Sequence, residues 1–165
     1  MEMDNGEHRT NLAALREATA TLAGLRRTLG DSSRGKCILW VDDQPDNNDL
    51  PRRLLEQEGA AIKLALSTDD ARTVLTERAS AVDLVISDMS RGDRPLAGLE
   101  MIEYVRDLNR GIPVLIYSDS PLAEERRKQI QVLGGIGPLV GPQSLLDMIA
   151  STLTVKKPNN ALERD

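Results

Sequence analysis

From Lys36 onward the chain alternates short apolar runs with segments whose apolar residues recur every three or four positions. The runs predict strands at 36–42, 61–66, 82–88, 112–118 and 137–141, and the helical spacing predicts helices near 48–58, 69–79, 98–109, 121–133 and 143–153. Local signals mark several ends. Ser67 stands three residues before Asp70 as a cap, Ser120 followed by Pro121 reads as an N-cap with proline at N1, and Gly134 reads as a helix stop. Regular strand–helix alternation predicts an α/β fold, a doubly wound five-stranded parallel sheet of (βα)5 type.

Ahead of this unit, residues 10–29 form a helical pattern. Leu15, Ala18, Leu22, Leu25 and Leu29 make a narrow apolar seam with Leu12 beside it. Little more than two heptads long, the seam suits either a coiled-coil homodimer or packing against the chain's own surface. Gly30–Gly35 reads as a polar hinge, and the polar tail from Thr154 is expected to be disordered. The expected division is therefore an extension at 1–35, a domain at 36–153 and a tail at 154–165.

Composition narrows the chemistry. Hydrophobic residues make up 40% and charged residues 28%, the balance of an ordinary globular protein, and the net charge of −5 speaks against nucleic acid as a partner. No apolar stretch spans a bilayer and no signal peptide opens the chain, so a cytoplasmic protein without a membrane partner is expected. Cys37, the single cysteine, is expected to be buried in a strand, as is Trp40. With His8 as the single histidine, in a polar N-terminal stretch, neither a His/Cys zinc site nor a Ser-His-Asp triad is expected. No glycine-rich nucleotide loop follows the first strand.

The chemistry that remains sits at strand ends. Asp42 and Asp43 close the first strand, Asp88 closes the third, and Ser118 ends the fourth. In a parallel sheet the carboxyl ends of neighbouring strands line one crevice. Two like charges about 4 Å apart at an effective dielectric near 20 repel by roughly 4 kcal/mol, so gathered carboxylates call for a cation, and hard oxygen ligands suit Mg²⁺.

Four segments in register, Ile38-Leu-Trp-Val-Asp-Asp43, Val82-Asp-Leu-Val-Ile-Ser-Asp-Met89, Gly98-Leu-Glu-Met-Ile102 and Ile112-Pro-Val-Leu-Ile-Tyr-Ser118, resemble the receiver domain of two-component response regulators, a flavodoxin-like fold. The resemblance implies that Asp88 is the phospho-acceptor and that Mg²⁺ is bound by Asp43, by Asp42 (often through water), by Asp88 and by the backbone carbonyl of Ser90. Ser118 would hydrogen-bond a phosphoryl oxygen. A histidine kinase or phosphotransfer protein would be the donor, and a downstream protein the target.

The chain also departs from that pattern. Gly141 stands where the family has a lysine ahead of a proline, and Pro138 stands at the aromatic position of the same strand. The loop Ser90–Ala97 is long. Its charges Arg91, Asp93 and Arg94 could reach a phosphate or a partner, but the plainer expectation is that they are solvated. Glu124-Glu-Arg-Arg-Lys128 likewise reads as a solvated face.

With too few residues for an output domain, the leading reading is a stand-alone signalling protein that acts through protein contacts. The alternative is a pseudo-receiver that is not phosphorylated and serves for binding or dimerisation. An enzyme is not expected, because an aspartyl-phosphate hydrolase of the haloacid dehalogenase type would want Asp-x-Asp where this chain has adjacent aspartates.

Overall fold

The computed structural model describes residues 5–154, with the side chains of 5–8 and 10 left aside; the His8 side chain and residues 155–165 of the expected tail lie outside what it describes. Five strands form one parallel sheet: β1 (Cys37–Val41), β2 (Ala61–Ala65), β3 (Leu84–Ser87), β4 (Val114–Ser118) and β5 (Ile136–Val140). Their order is β2-β1-β3-β4-β5. Six helices accompany them: α1 (Asn5–Leu29), α2 (Asp49–Gln57), α3 (Thr68–Arg78), α4 (Ala97–Asp107), α5 (Glu124–Val132) and α6 (Pro142–Thr154). Every strand expected from the apolar runs is present: the first four are trimmed by a residue or two at their ends, and β5 is shifted one residue earlier than expected.

The central strands are apolar up to their carboxyl ends, where β3 closes in Ser87 and β4 in Tyr117-Ser118, because both faces of the sheet are covered, as parallel sheets require. One core lies between the sheet and α3, α4 and α5, with Ala71, Leu75, Met101, Ile102, Val105 and Ile130 packed beneath Leu39, Val85 and Ile116. The opposite core joins Ile38, Trp40, Ile86 and Leu115 to Leu54 and Leu55 of α2 and to Leu145, Leu146 and Ile149 of α6. Leu25 and Leu29 of α1 belong to this second core, 3% and 1% exposed. The apolar seam therefore divides. Its carboxyl-terminal end packs on the domain, whereas Leu12 and Leu15 remain 50% and 64% exposed.

Some local expectations are corrected. The segment 30–35, read as a polar hinge, is a series of turns in which the Ser32 hydroxyl donates to the Leu29 carbonyl (2.6 Å) and the Gly35 N–H donates to the Gly59 carbonyl (2.9 Å). Helix α5 begins at Glu124 with Ala123 at its N-cap, so Ser120 and Pro121 lie ahead of it. The Ser118 hydroxyl donates to the Ser120 carbonyl at 2.7 Å, and this turn takes up the stretch that would have opened the helix. Thr154 closes α6 and does not begin the tail. Cys37 is only half-buried; burial first, and the Asp83 carboxylate second, push its thiol up. Trp40 is core, 1% exposed, as its setting in an apolar strand predicts. The Ser67 cap is also as expected, its hydroxyl accepting the Asp70 N–H at 3.0 Å.

Candidate functional site

The carboxyl ends of β1, β3 and β4 open into one cavity of about 470 Å³. Asp42, Asp43, Asp88, Ser90, Tyr117 and Ser118 line it, and no residue of β5 does. The parallel register makes this convergence unavoidable. Val41 pairs with Ser87, so the chain leaves β1 and β3 at the same level and Asp42 and Asp88 emerge side by side. A carboxylate oxygen of Asp42, one of Asp43 and one of Asp88 all lie within 4.8 Å of one another.

The three acids are held differently. Asp42 is buried; one of its oxygens accepts the Gln44 N–H at 2.9 Å and the other the Asn48 side-chain amide at 2.6 Å. Asp43 is exposed at the mouth of the cavity. Asp88 is half-buried, and its carboxyl is pushed up to about 7. Burial is the main cause, opposed by the charge and hydrogen bond of Arg91 and reinforced by the charges of Asp42 and Asp43.

The backbone at Asp88 is fixed from the α4 side. The Gly98 N–H donates to the Met89 carbonyl at 2.7 Å, and a Cβ at position 98 would stand 2.7 Å from the Asp88 carbonyl oxygen. Only glycine lets the first turn of α4 approach this closely. Ser118 reaches the same cavity, but its hydroxyl is turned to the Ser120 carbonyl. Tyr117 meets Trp40 edge to face at a centroid separation of 6.2 Å, which connects the cavity wall to the second core.

The structure overturns the expectation of a solvated loop at Arg91. Its side chain is 5% exposed and forms an ion pair with Asp88. Arg94, by contrast, is exposed and pairs loosely with Glu100 at 3.4 Å. Arg126 of α5, expected on a solvated face, is half-buried and lines the cavity. Gly141 is glycine in a left-handed conformation, φ +86°, and a Cβ there would meet nothing within 4 Å. The fifth strand thus contributes no cation to this crevice. The burial of Arg91 draws on Thr68, 23 residues back, as well as on its neighbours Ser87 and Asp88, and Arg126 reaches the cavity from α5, so neither setting is marked by its own spacing.

The donor set fits a hard divalent cation. All the ligands on offer are oxygens, and separations under 4.8 Å need only a small contraction to reach the roughly 3–4 Å between ligand oxygens around Mg²⁺, whose bonds run about 2.0–2.1 Å. No described helix is long and apolar enough to cross a membrane.

Comparison with known proteins agrees with this arrangement. Residues 38–149 match the model of the response regulator receiver domain. A protein of Leptolyngbya boryana, "Uncharacterized 14.6 kDa protein in sodA1 3′region", is 32% identical over 113 residues, spanning 68% of this chain and 83% of that protein. Among solved structures, the Vibrio cholerae chemotaxis protein CheY4 superposes with a TM-score of 0.61 at 21% identity, over 71% of this chain and 98% of the other. The non-phosphorylated HemR receiver domain from Leptospira biflexa gives a TM-score of 0.63 at 22% identity, over 75% and 98%. These structural likenesses carry the fold. With the family match over most of its length, a five-stranded parallel sheet in the order 2-1-3-4-5 and an acidic crevice at its carboxyl edge, the chain belongs to the response regulator receiver domain family.

Proposed function

We propose that the protein is a signalling protein that accepts a phosphoryl group on Asp88 with Mg²⁺ held in the acidic crevice, and that it acts through protein–protein contacts. The observation that carries this reading is the gathering of Asp42, Asp43 and Asp88 within 4.8 Å at the ends of β1 and β3. Asp43 and Asp88 would hold the ion, with the Ser90 carbonyl beside them. Asp42, already anchored by Gln44 and Asn48, would bind through water. The ion would supply charge neutralisation for the incoming phosphoryl group, the main requirement of phosphoryl transfer.

The chain's own residues do the rest. Asp88 presents a carboxylate oxygen to phosphorus, and its partly buried position limits competing water. Ser118 would rotate from the Ser120 carbonyl to donate its hydroxyl to a phosphoryl oxygen. The physiological donor would be a histidine kinase or a phosphotransfer protein, and the setting the cytoplasm.

A second reading is a phosphorylation-independent receiver that serves as a binding or homodimerisation module. The ion pair that already occupies Asp88 favours it, as do the exposed Leu12 and Leu15 of α1.

The deciding measurement is intact mass after incubation with Mg²⁺ and phosphoramidate or acetyl phosphate. One added phosphoryl group, absent in Asp88→Asn, is expected. No added mass, with Mg²⁺ still bound, would select the second reading.

A further inference from the structure

Burying a guanidinium is costly unless every face of it finds a partner. Arg91 is the one buried cation among the described residues, and it is placed with unusual definition. Its Nη1 donates to the Ser87 hydroxyl (2.9 Å) and to Asp88 Oδ1, and its Nη2 donates to the Thr68 hydroxyl (2.6 Å). Ser87 and Thr68 are themselves buried, so this network ties the end of β3 to the first turn of α3 around one carboxylate. The backbone is fixed as tightly. Arg91 and Arg94 exchange both main-chain hydrogen bonds (3.0 and 2.8 Å) across a turn in which Gly92 takes φ +54°. Among the described residues, Asp88 Oδ2 accepts no hydrogen bond.

Charge balance gives the arrangement its meaning. The three clustered carboxylates, the Arg91 guanidinium and one divalent cation sum to neutrality, and the other two charges that line the cavity, Asp119 and Arg126, offset each other. Without the guanidinium the loaded crevice would stay negative and repel an anionic phosphoryl donor. An uncharged side chain could brace Thr68 to Ser87; only a cation also balances the acids. The planar fork suits the task, since it holds a carboxylate oxygen in a set direction where an ammonium would act as a point charge.

We propose that Arg91 is the positioning residue for phosphorylation of Asp88: it holds Oδ1, presents Oδ2 to phosphorus and supplies the positive charge that the fifth strand, with Gly141, does not bring. The inference rests on the reading of Asp88 as phospho-acceptor. In the step itself an Oδ2 electron pair forms the new O–P bond while the P–N bond of phosphoramidate breaks. That bond's electron pair leaves with the already protonated nitrogen as ammonia. Oδ1 becomes the acyl carbonyl and keeps the Arg91 N–H.

The test compares initial rates of phosphoryl uptake, by intact mass, for wild type, Arg91→Ala, Arg91→Lys and Thr68→Val at saturating Mg²⁺ with phosphoramidate. Circular dichroism checks the fold. Loss of one preorganised donor at a reacting centre typically costs about 10²–10³-fold, so Arg91→Ala should slow uptake by at least ~10-fold. Millimolar methylguanidinium should restore part of the rate in Arg91→Ala and do nothing for wild type. Arg91→Lys should fall between the two. Thr68→Val, which frees the far end of the fork and keeps the charge, should slow uptake several-fold, and it decides the matter if Arg91→Ala does not fold. Uptake by wild type that is undiminished in both variants overturns the proposal and leaves Asp88 as acceptor. Faster uptake in Arg91→Ala makes the ion pair inhibitory and also overturns it. No uptake by any protein overturns the reading of Asp88 and this inference with it.

Discussion

At Asp88 two demands compete. Burial and the neighbouring acids favour the neutral carboxyl, whereas Arg91 favours the charged form, and the balance leaves the group titrating near 7, well above the ordinary carboxylate value of 3.8. The sign of the consequence for stability follows from linkage. A carboxyl whose folded-state pKa is raised contributes stability that is fully present below its unfolded value and is lost as pH rises through about 7. The metal-free protein should therefore lose stability between about pH 4 and 7, levelling off above, relative to Asp88→Asn, which cannot ionise. Melting temperatures of the two proteins in EDTA, measured across that range, should diverge as pH rises, with the variant the higher. Parallel curves would mean that Asp88 titrates normally. Arg91 at the same carboxylate was out of reach of the sequence. Its burial depends on Thr68, 23 residues back, and on Ser87, neither of which marks an arginine site by its own spacing.

Among the elements, strands were the most legible, because β1, β3 and β4 are covered on both faces and so are written as unbroken apolar runs. Helix starts were less so. Ser67 works as a cap because its hydroxyl is free for the Asp70 N–H, while the equally plausible Ser120 fails because its backbone is engaged by Ser118. Helix α1 shows a different limit. Its leucine spacing predicts an apolar seam but not how far along the helix a partner surface extends. The domain covers Leu25 and Leu29 and leaves the residues from Asn11 to Thr21 largely in solvent. Energetic weight should follow that boundary. Leu25→Ala and Leu29→Ala should each cost about 2–4 kcal/mol of unfolding free energy, the range for well-packed core leucines. Leu12→Ala and Leu15→Ala should each stay within about 0.5 kcal/mol. Urea unfolding of dilute protein checks both. A large loss at Leu12 or Leu15 would show that a second copy covers them.

The whole molecule is a sheet between two apolar layers, with its chemistry confined to one edge. Events at that edge have a physical route into the layer beneath α1, α2 and α6. Tyr117 lines the acidic cavity, packs against that core and stands edge-on to Trp40, while Trp40 lies two residues before Asp42 on β1. The lone tryptophan therefore sits where two arms of the site meet, one through the Tyr117 ring and one through the backbone of β1. Binding of Mg²⁺ should change Trp40 emission in a saturable way, and Asp43→Ala should abolish the change by removing a ligand. Tyr117→Leu separates the two arms. If the aromatic contact carries the signal, the emission change shrinks although calorimetry still detects Mg²⁺ binding. If the change persists at full size, the strand carries it, and rearrangement around Ser118 and Tyr117 is not needed for Trp40 to sense the ion.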